Sequence, residues 1–73
     1  MNKQNKTPFE LWMEWRPNRL HVKDESCKIA QVLCNDIGLK NPNDFQIKGN
    51  EIRFKHDTDL AFMRVNLNEW LLF

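Results

Sequence analysis

The sequence predicts a small α+β domain of the ferredoxin-like, or split βαβ, type, with an antiparallel sheet and two helices on one face. Three segments carry this prediction: a β-hairpin pattern at 45–54, a capped amphipathic helix pattern at 25–37 and a second helical pattern at 58–65. With one strand before the first helix and one at the end of the chain, the order becomes strand, helix, strand, strand, helix, strand.

The first strand is predicted over 9–15, where apolar side chains alternate with polar ones in the period of a half-buried strand. Trp12 falls on the polar side of this pattern. Pro17 ends the strand because proline lacks the backbone donor. We interpret 20–22 as an extended connection rather than a return strand, and residues 1–8 as a flexible N-terminal tail before a single domain over 9–73.

The first helix is predicted to run from about Glu25 to Ile37, with Asp24 as its N-cap. Gly38 follows it at the position where a left-handed residue ends many helices, and Leu39 can then fold back onto the helix. Cys27 lies on the margin of the apolar stripe. The stripe comprises Ile29, Ala30, Leu33, Cys34 and Ile37.

The hairpin prediction depends on a Gly-Asn pair between two alternating segments. Gly49 can take the positive φ that the first central position of a type II′ turn requires. Four cross-strand pairs follow: Phe45 with Phe54 and Ile47 with Ile52 on an apolar face, and Gln46 with Arg53 and Lys48 with Glu51 on a polar face.

The second helix is predicted over 58–65, with Asp57 as its N-cap. The segment 69–73 is compatible with a buried last strand or with a continuation of this helix, and we favour the strand. The predicted core collects the apolar side of every element: Phe9, Leu11, Met13, Trp15, the stripe of the first helix, Phe45, Ile47, Ile52, Phe54, Leu60 and Met63.

Composition excludes several classes of function. The formal net charge of +1 provides no long-range attraction to nucleic acid, and no apolar run reaches the length of about 20 residues that a membrane span needs. Cys27 and Cys34 lie about 10 Å apart on a helix, beyond the roughly 7 Å limit of a disulfide. Free thiols and a polar N-terminal segment both predict a cytoplasmic protein.

Neither catalysis nor a cofactor is expected. His21 and His56 both lie in connecting segments, and neither belongs to a constellation with an orienting partner. The two cysteines lack the close spacing of zinc ligands, so we expect no metal. Asp57 and Asp59 are better explained by helix capping than by a calcium loop, because the glycine and the distal glutamate of such a loop are missing.

Two kinds of binding remain, and protein binding is favoured because more large apolar side chains are predicted on the surface than so small a domain needs. The expected partner-binding residues are Trp12, Val32, Phe62, Trp70 and Leu72. A homodimer through the C-terminal segment is one form of this hypothesis. The alternative is nucleic-acid binding on the open sheet face, with Trp12 stacking a base. Its expected residues are Trp12, Lys48, Arg53 and Lys55.

The segment from Glu51 to Val65 combines a strand of the type I-x-F, an acidic helix cap and a short helix that carries an aromatic residue. In these features it resembles small uncharacterised accessory proteins of tailed bacteriophages. The chain departs from that pattern at Leu60, which intervenes after the cap, and in its longer C-terminal tail. The resemblance implies an accessory factor that binds a host or phage protein in the bacterial cytoplasm, and it implies no catalytic residues.

Overall fold

A computed structural model describes residues 6–23 and 27–72 of the chain and confirms the small α+β class. The described part contains three α-helices and a three-stranded antiparallel sheet in the order β1-β3-β2. The elements are α1 Pro8–Glu14, β1 Arg19–His21, α2 Cys27–Asp36, β2 Phe45–Lys48, β3 Glu51–Phe54, α3 Asp57–Asn66 and a 3₁₀ helix at Asn68–Trp70.

The hairpin of β2 and β3 has the predicted register in all four cross-strand pairs. Gly49 occupies its turn with φ 59°, in the left-handed region. The prediction for 20–22 was wrong, since β1 is a strand that pairs with β3 and sets Leu20 opposite Ile52. Three residues are too few for sequence periodicity to reveal a strand.

Replacing Gly49 with alanine should lower the free energy of unfolding by about 1–2 kcal/mol, because a Cβ at positive φ clashes with its own backbone. A Cβ at this position would meet no atom outside the turn within 4 Å. The loss of stability therefore measures the strain of the backbone alone. Urea unfolding measures it. Gly49→Asn is the matched control and should lose less, because asparagine tolerates this conformation. An alanine variant as stable as the parent would contradict a strained turn.

The apolar face of the sheet packs against α2 and α3 and forms the main core. Ala30 and Cys34 from α2, and Leu60, Met63 and Leu67 from or after α3, lie in one buried cluster with the sheet side chains. The sheet contributes Leu20, Val22, Phe45, Ile52 and Phe54. Two residues of the predicted α2 stripe, Ile29 and Ile37, are exposed instead.

The first element is a helix, so the strand predicted over 9–15 was wrong. Thr7 and Glu10 form a reciprocal capping box: the Thr7 hydroxyl accepts from the Glu10 amide, and the Glu10 carboxylate accepts from the Thr7 amide. Hydrogen bonding of the carboxylate to Thr7, above all to its backbone amide, lowers the pKa of Glu10. Pro8 occupies the first turn, where its missing donor costs nothing.

Winding the segment into a helix changes which side chains are buried. Trp12 and Trp15, three positions apart, are buried, whereas Phe9 and Met13, one turn apart, are exposed. The predictions that Phe9 and Met13 belong to the core and that Trp12 faces solvent were therefore wrong. The same residues are also compatible with a helix, and the capping box favours the helix.

The ends of the other two helices follow local chemistry. Gly38 has φ 87°, and the Leu39 amide donates to the Cys34 carbonyl at 2.9 Å, which confirms the predicted end of α2. Leu39 packs against the core. The predicted N-cap Asp24 lies outside the described residues. At α3 the N-cap residue is His56, without a side-chain cap bond, and Asp57 is the first helical residue rather than the predicted cap.

The C-terminal segment lies along the outer edge of β1. Leu71 forms a single antiparallel bridge with Val22. The Leu72 amide donates to the His21 carbonyl at 2.8 Å, and the Lys23 amide donates to the Trp70 carbonyl at 2.7 Å. A full strand over 69–73 was predicted, whereas the described residues form a 3₁₀ helix and then this one bridge. Phe73 lies outside the described residues.

Candidate functional site

The polar face of the sheet is covered by α1. Side chains of Gln46, Lys48 and Arg53 point to the face opposite the core, because neighbours along a strand alternate. The Gln46 amide nitrogen donates to the Pro8 carbonyl at 2.8 Å. The Arg53 guanidinium donates to the Trp12 carbonyl at 2.7 Å. The sheet thus holds the helix by hydrogen bonds to its backbone, in addition to the burial of Trp12.

Arg53 is the centre of this contact and is only 8% exposed. Its Nε donates to a Glu51 carboxylate oxygen at 2.7 Å, which compensates its charge. Its guanidinium carbon also lies 4.0 Å from the centre of the Trp12 ring. The Lys48 ammonium approaches the same ring at 5.5 Å but remains exposed. A planar cation that stacks on an indole while donating in its own plane satisfies all of these contacts at once.

This arrangement corrects the predicted open sheet face. The structure does bring Trp12, Lys48 and Arg53 together, but as an internal contact between α1 and the sheet. Trp12 is 8% exposed and its ring already has a cation against it, so in this conformation it cannot stack a base. Lys48 and Lys55 remain exposed. The covering helix was the feature that the sequence interpretation lacked, and its signal was the Thr-Pro-x-Glu pattern at its start.

The histidines have different surroundings. His21 lies opposite Glu51 across β1 and β3, with its Nε2 3.4 Å from the carboxylate. His56 is exposed at the start of α3. Within residues 6–23 and 27–72, no group of three or more His, Cys, Asp or Glu side chains is placed to hold a metal ion.

The apolar residues predicted to bind a partner differ in their exposure to solvent. Val32 and Phe62 are exposed on α2 and α3, and Leu72 is exposed on the C-terminal segment. Trp70 is partly buried against the core, and Trp12 is buried under Arg53, which removes it from the surface. Among the described residues, sequence interpretation missed five exposed apolar side chains: Phe9, Met13, Ile29, Ile37 and Val65.

The cysteines are free thiols, as predicted. Cys34 is fully buried against the core, and burial, with a smaller contribution from the Asp59 carboxylate, raises its pKa to about 12. Cys27 is partly exposed and its Sγ donates to the Gly49 carbonyl at 3.2 Å. Burial also raises the pKa of Cys27. Neither thiol has the lowered pKa of a nucleophile.

We expect the two thiols to react at very different rates with Ellman's reagent at pH 8. Cys27 should be modified in the folded protein, because it is accessible. Cys34 should be modified only on unfolding, because it is buried and stays protonated far above neutral pH. Absorbance in native buffer and in guanidinium counts the thiols, and Cys27→Ser is the control that leaves only Cys34. Equal native rates would contradict this placement of Cys34.

Comparison of the chain with protein-family models, with curated proteins and with solved structures found no match in any of the three. In the described part of the chain, no helix has both the length and the apolar character needed to cross a membrane.

Proposed function

We propose that this chain is a non-enzymatic protein-binding domain that modulates its partner, and that the outer side of α3 makes the principal contact. Phe62 and Val65 carry this proposal. They lie three positions apart, on the side of α3 that faces away from the buried Leu60 and Met63, and are 43% and 77% exposed. Residues at this spacing are neighbours on a helix surface.

The α3 pair contributes little to the fold. Val65 leaves most of its side chain in water, and Phe62 leaves a large part of an aromatic ring there. Covering such side chains contributes about 25 cal/mol for each Å² of apolar surface removed from water. Aromatic side chains are enriched at the centres of protein interfaces. The Asn66 side-chain amide also donates to the Phe62 carbonyl, at 2.8 Å.

Other exposed apolar residues extend the proposal. Val32 on α2 and Leu72 on the C-terminal segment are 58% and 50% exposed, and both were expected to bind a partner. A homodimer through the C-terminal segment is the self-association form of the same function. If the resemblance at 51–65 reflects origin, the partner is a host or phage protein in an infected bacterium.

We also propose that the domain is of the split βαβ type. The order β1, α2, β2, β3, α3 is that of a split βαβ domain, with α1 added in front. The bridge between Leu71 and Val22 supports it, because it puts the last segment beside β1 where a fourth strand would lie. In this arrangement α2 and α3 pack on one face and leave their outer surfaces free for a partner.

The test is capture from a bacterial lysate with tagged parent and variant proteins, followed by titration of the purified partner in a calorimeter. The double variant Phe62→Ser/Val65→Ser should weaken binding at least about tenfold, as expected for hot-spot residues. It should leave the unfolding midpoint nearly unchanged, because both residues are exposed.

The matched control is Phe9→Ser/Met13→Ser, which removes a similar exposed pair from α1 on the other face of the sheet. It should leave the affinity unchanged. If the α1 pair lowers the affinity and the α3 pair does not, the contact lies on α1. A captured complex that survives both substitutions would contradict an apolar helix surface, and sedimentation of the isolated protein separates a homodimer from a different partner.

A further inference from the structure

A groove of about 380 Å³ lies between β1, the end of α3 and the C-terminal segment. Its apolar lining comes from Leu20 and Leu71, which are buried, and from Leu72, which is half exposed. Two arginines, a histidine and an asparagine also line the groove. These polar lining residues are Arg19, His21, Arg64 and Asn68.

The charge of this groove is uncompensated at two positions. Within residues 6–23 and 27–72, neither Arg19 nor Arg64 has an ion-pair partner. Arg19 lies directly opposite Arg53 in the sheet register, and Arg53 already shares the carboxylate of Glu51 with His21. Like charges opposite each other on neighbouring strands are unfavourable unless an anion lies close by.

We infer that this groove binds a small amphipathic carboxylate, with its apolar chain against Leu20, Leu71 and Leu72 and its carboxylate between Arg19 and Arg64. A guanidinium donates two parallel hydrogen bonds to a carboxylate, and an anion bound beside Arg19 also offsets the like charge of Arg53 opposite it. The volume falls within the range of about 300–1,000 Å³ typical of small-molecule sites. The groove shares Leu72 with the proposed partner surface but contains neither Phe62 nor Val65. Its test uses the isolated chain and a small ligand, so its failure is distinguishable from a failure of the proposed function.

The experiment is a titration of the isotope-labelled chain with octanoate, followed by amide chemical shifts. Octanoate should shift amides of β1, the end of α3 and the C-terminal segment in a saturable way. Acetate has the charge without the chain, and octylammonium has the chain with the opposite charge. Both should bind at least about fivefold more weakly, because each lacks one half of the complementarity.

The variant Arg64→Gln should weaken octanoate binding about two- to fivefold, the range expected for an exposed ion pair. Arg16→Gln removes an exposed arginine that does not line the groove, and it should have no effect. The spectra of both variants without ligand report whether they are folded.

Three results would overturn the inference. They are an affinity for octylammonium equal to that for octanoate, an affinity for acetate equal to that for octanoate, and an octanoate affinity that Arg64→Gln leaves unchanged. A fourth would reassign the groove to a protein segment, namely saturation by an acetylated Leu-Asp-Leu tripeptide amide with no response to octanoate.

Discussion

Replacing Arg53 with methionine should lower the free energy of unfolding by about 2–4 kcal/mol. The change leaves Glu51 without its closest cation and the Trp12 carbonyl without its donor. It also removes the guanidinium from the face of the indole. Urea unfolding with far-ultraviolet circular dichroism measures the loss.

A second consequence concerns the position of α1. Because Arg53 and Gln46 supply the side-chain hydrogen bonds from the sheet to this helix, the methionine variant should loosen α1 before the rest of the domain unfolds. Tryptophan emission should shift to longer wavelength as Trp12 becomes exposed. Comparison with Arg53→Met/Trp12→Phe assigns the spectral change, because that background lacks the Trp12 indole and keeps those of Trp15 and Trp70.

Lys48→Met is the matched control. It removes a cation that also approaches the Trp12 ring, but at 5.5 Å and from an exposed position. An exposed cation–π contact contributes about 0.5–1 kcal/mol, so the expected loss is several times smaller. Equal losses in the two variants would show that the hydrogen bonds and the ion pair of Arg53 contribute nothing beyond cation–π stacking.

The hairpin was predictable because its information is local. Gly49 fixes the turn, and a turn of fixed length determines which residues face each other on the two strands. The end of α2 at Gly38 was predictable for the same reason, since a left-handed glycine after an apolar stripe is itself a stop signal. In both cases neighbouring residues, not distant contacts, decide the conformation.

The first element was predicted wrongly because its side-chain pattern satisfies two periods. Apolar residues alternate from Phe9 to Trp15 as in a strand. Trp12 and Trp15, however, have the spacing of residues on the buried side of a helix. The deciding information lies at the start of the segment, where Thr7 and Glu10 cap a helix that Pro8 begins. The sequence interpretation rested on the alternation and placed Thr7 and Pro8 in the N-terminal tail, so the capping signal was not considered.

The error in the candidate site has a tertiary cause. A polar strand face ordinarily indicates exposure to solvent, and Gln46, Lys48 and Arg53 form such a face. Here its polar groups bind the backbone of α1, so polarity marks a buried contact between a helix and the sheet. No local pattern distinguishes these cases, because the contact joins residues about forty positions apart in the sequence.

Ile52→Ala should cost about 3–4 kcal/mol, within the range of large-to-small substitutions in a core. Ile52 is fully buried on the central strand and lies opposite both Leu20 and Ile47, so the cavity would open where all three strands meet α2 and α3. A domain of 73 residues has a total stability of roughly 4–11 kcal/mol, from about 0.05–0.15 kcal/mol per residue. The variant should therefore lose about a quarter or more of the total stability.

Ile47→Ala is the control, because it removes the same atoms from the facing residue of the edge strand. Ile47 is only partly buried, so its neighbours lose less contact and water can fill the space. We expect about half the loss of Ile52→Ala, measured by urea unfolding at one pH. If the two variants lose the same amount, the core does not centre on β3. If Ile52→Ala unfolds the main core while the Trp12 emission stays unchanged, α1 keeps its position without the sheet. That result would contradict the hydrogen bonds that join α1 to the sheet.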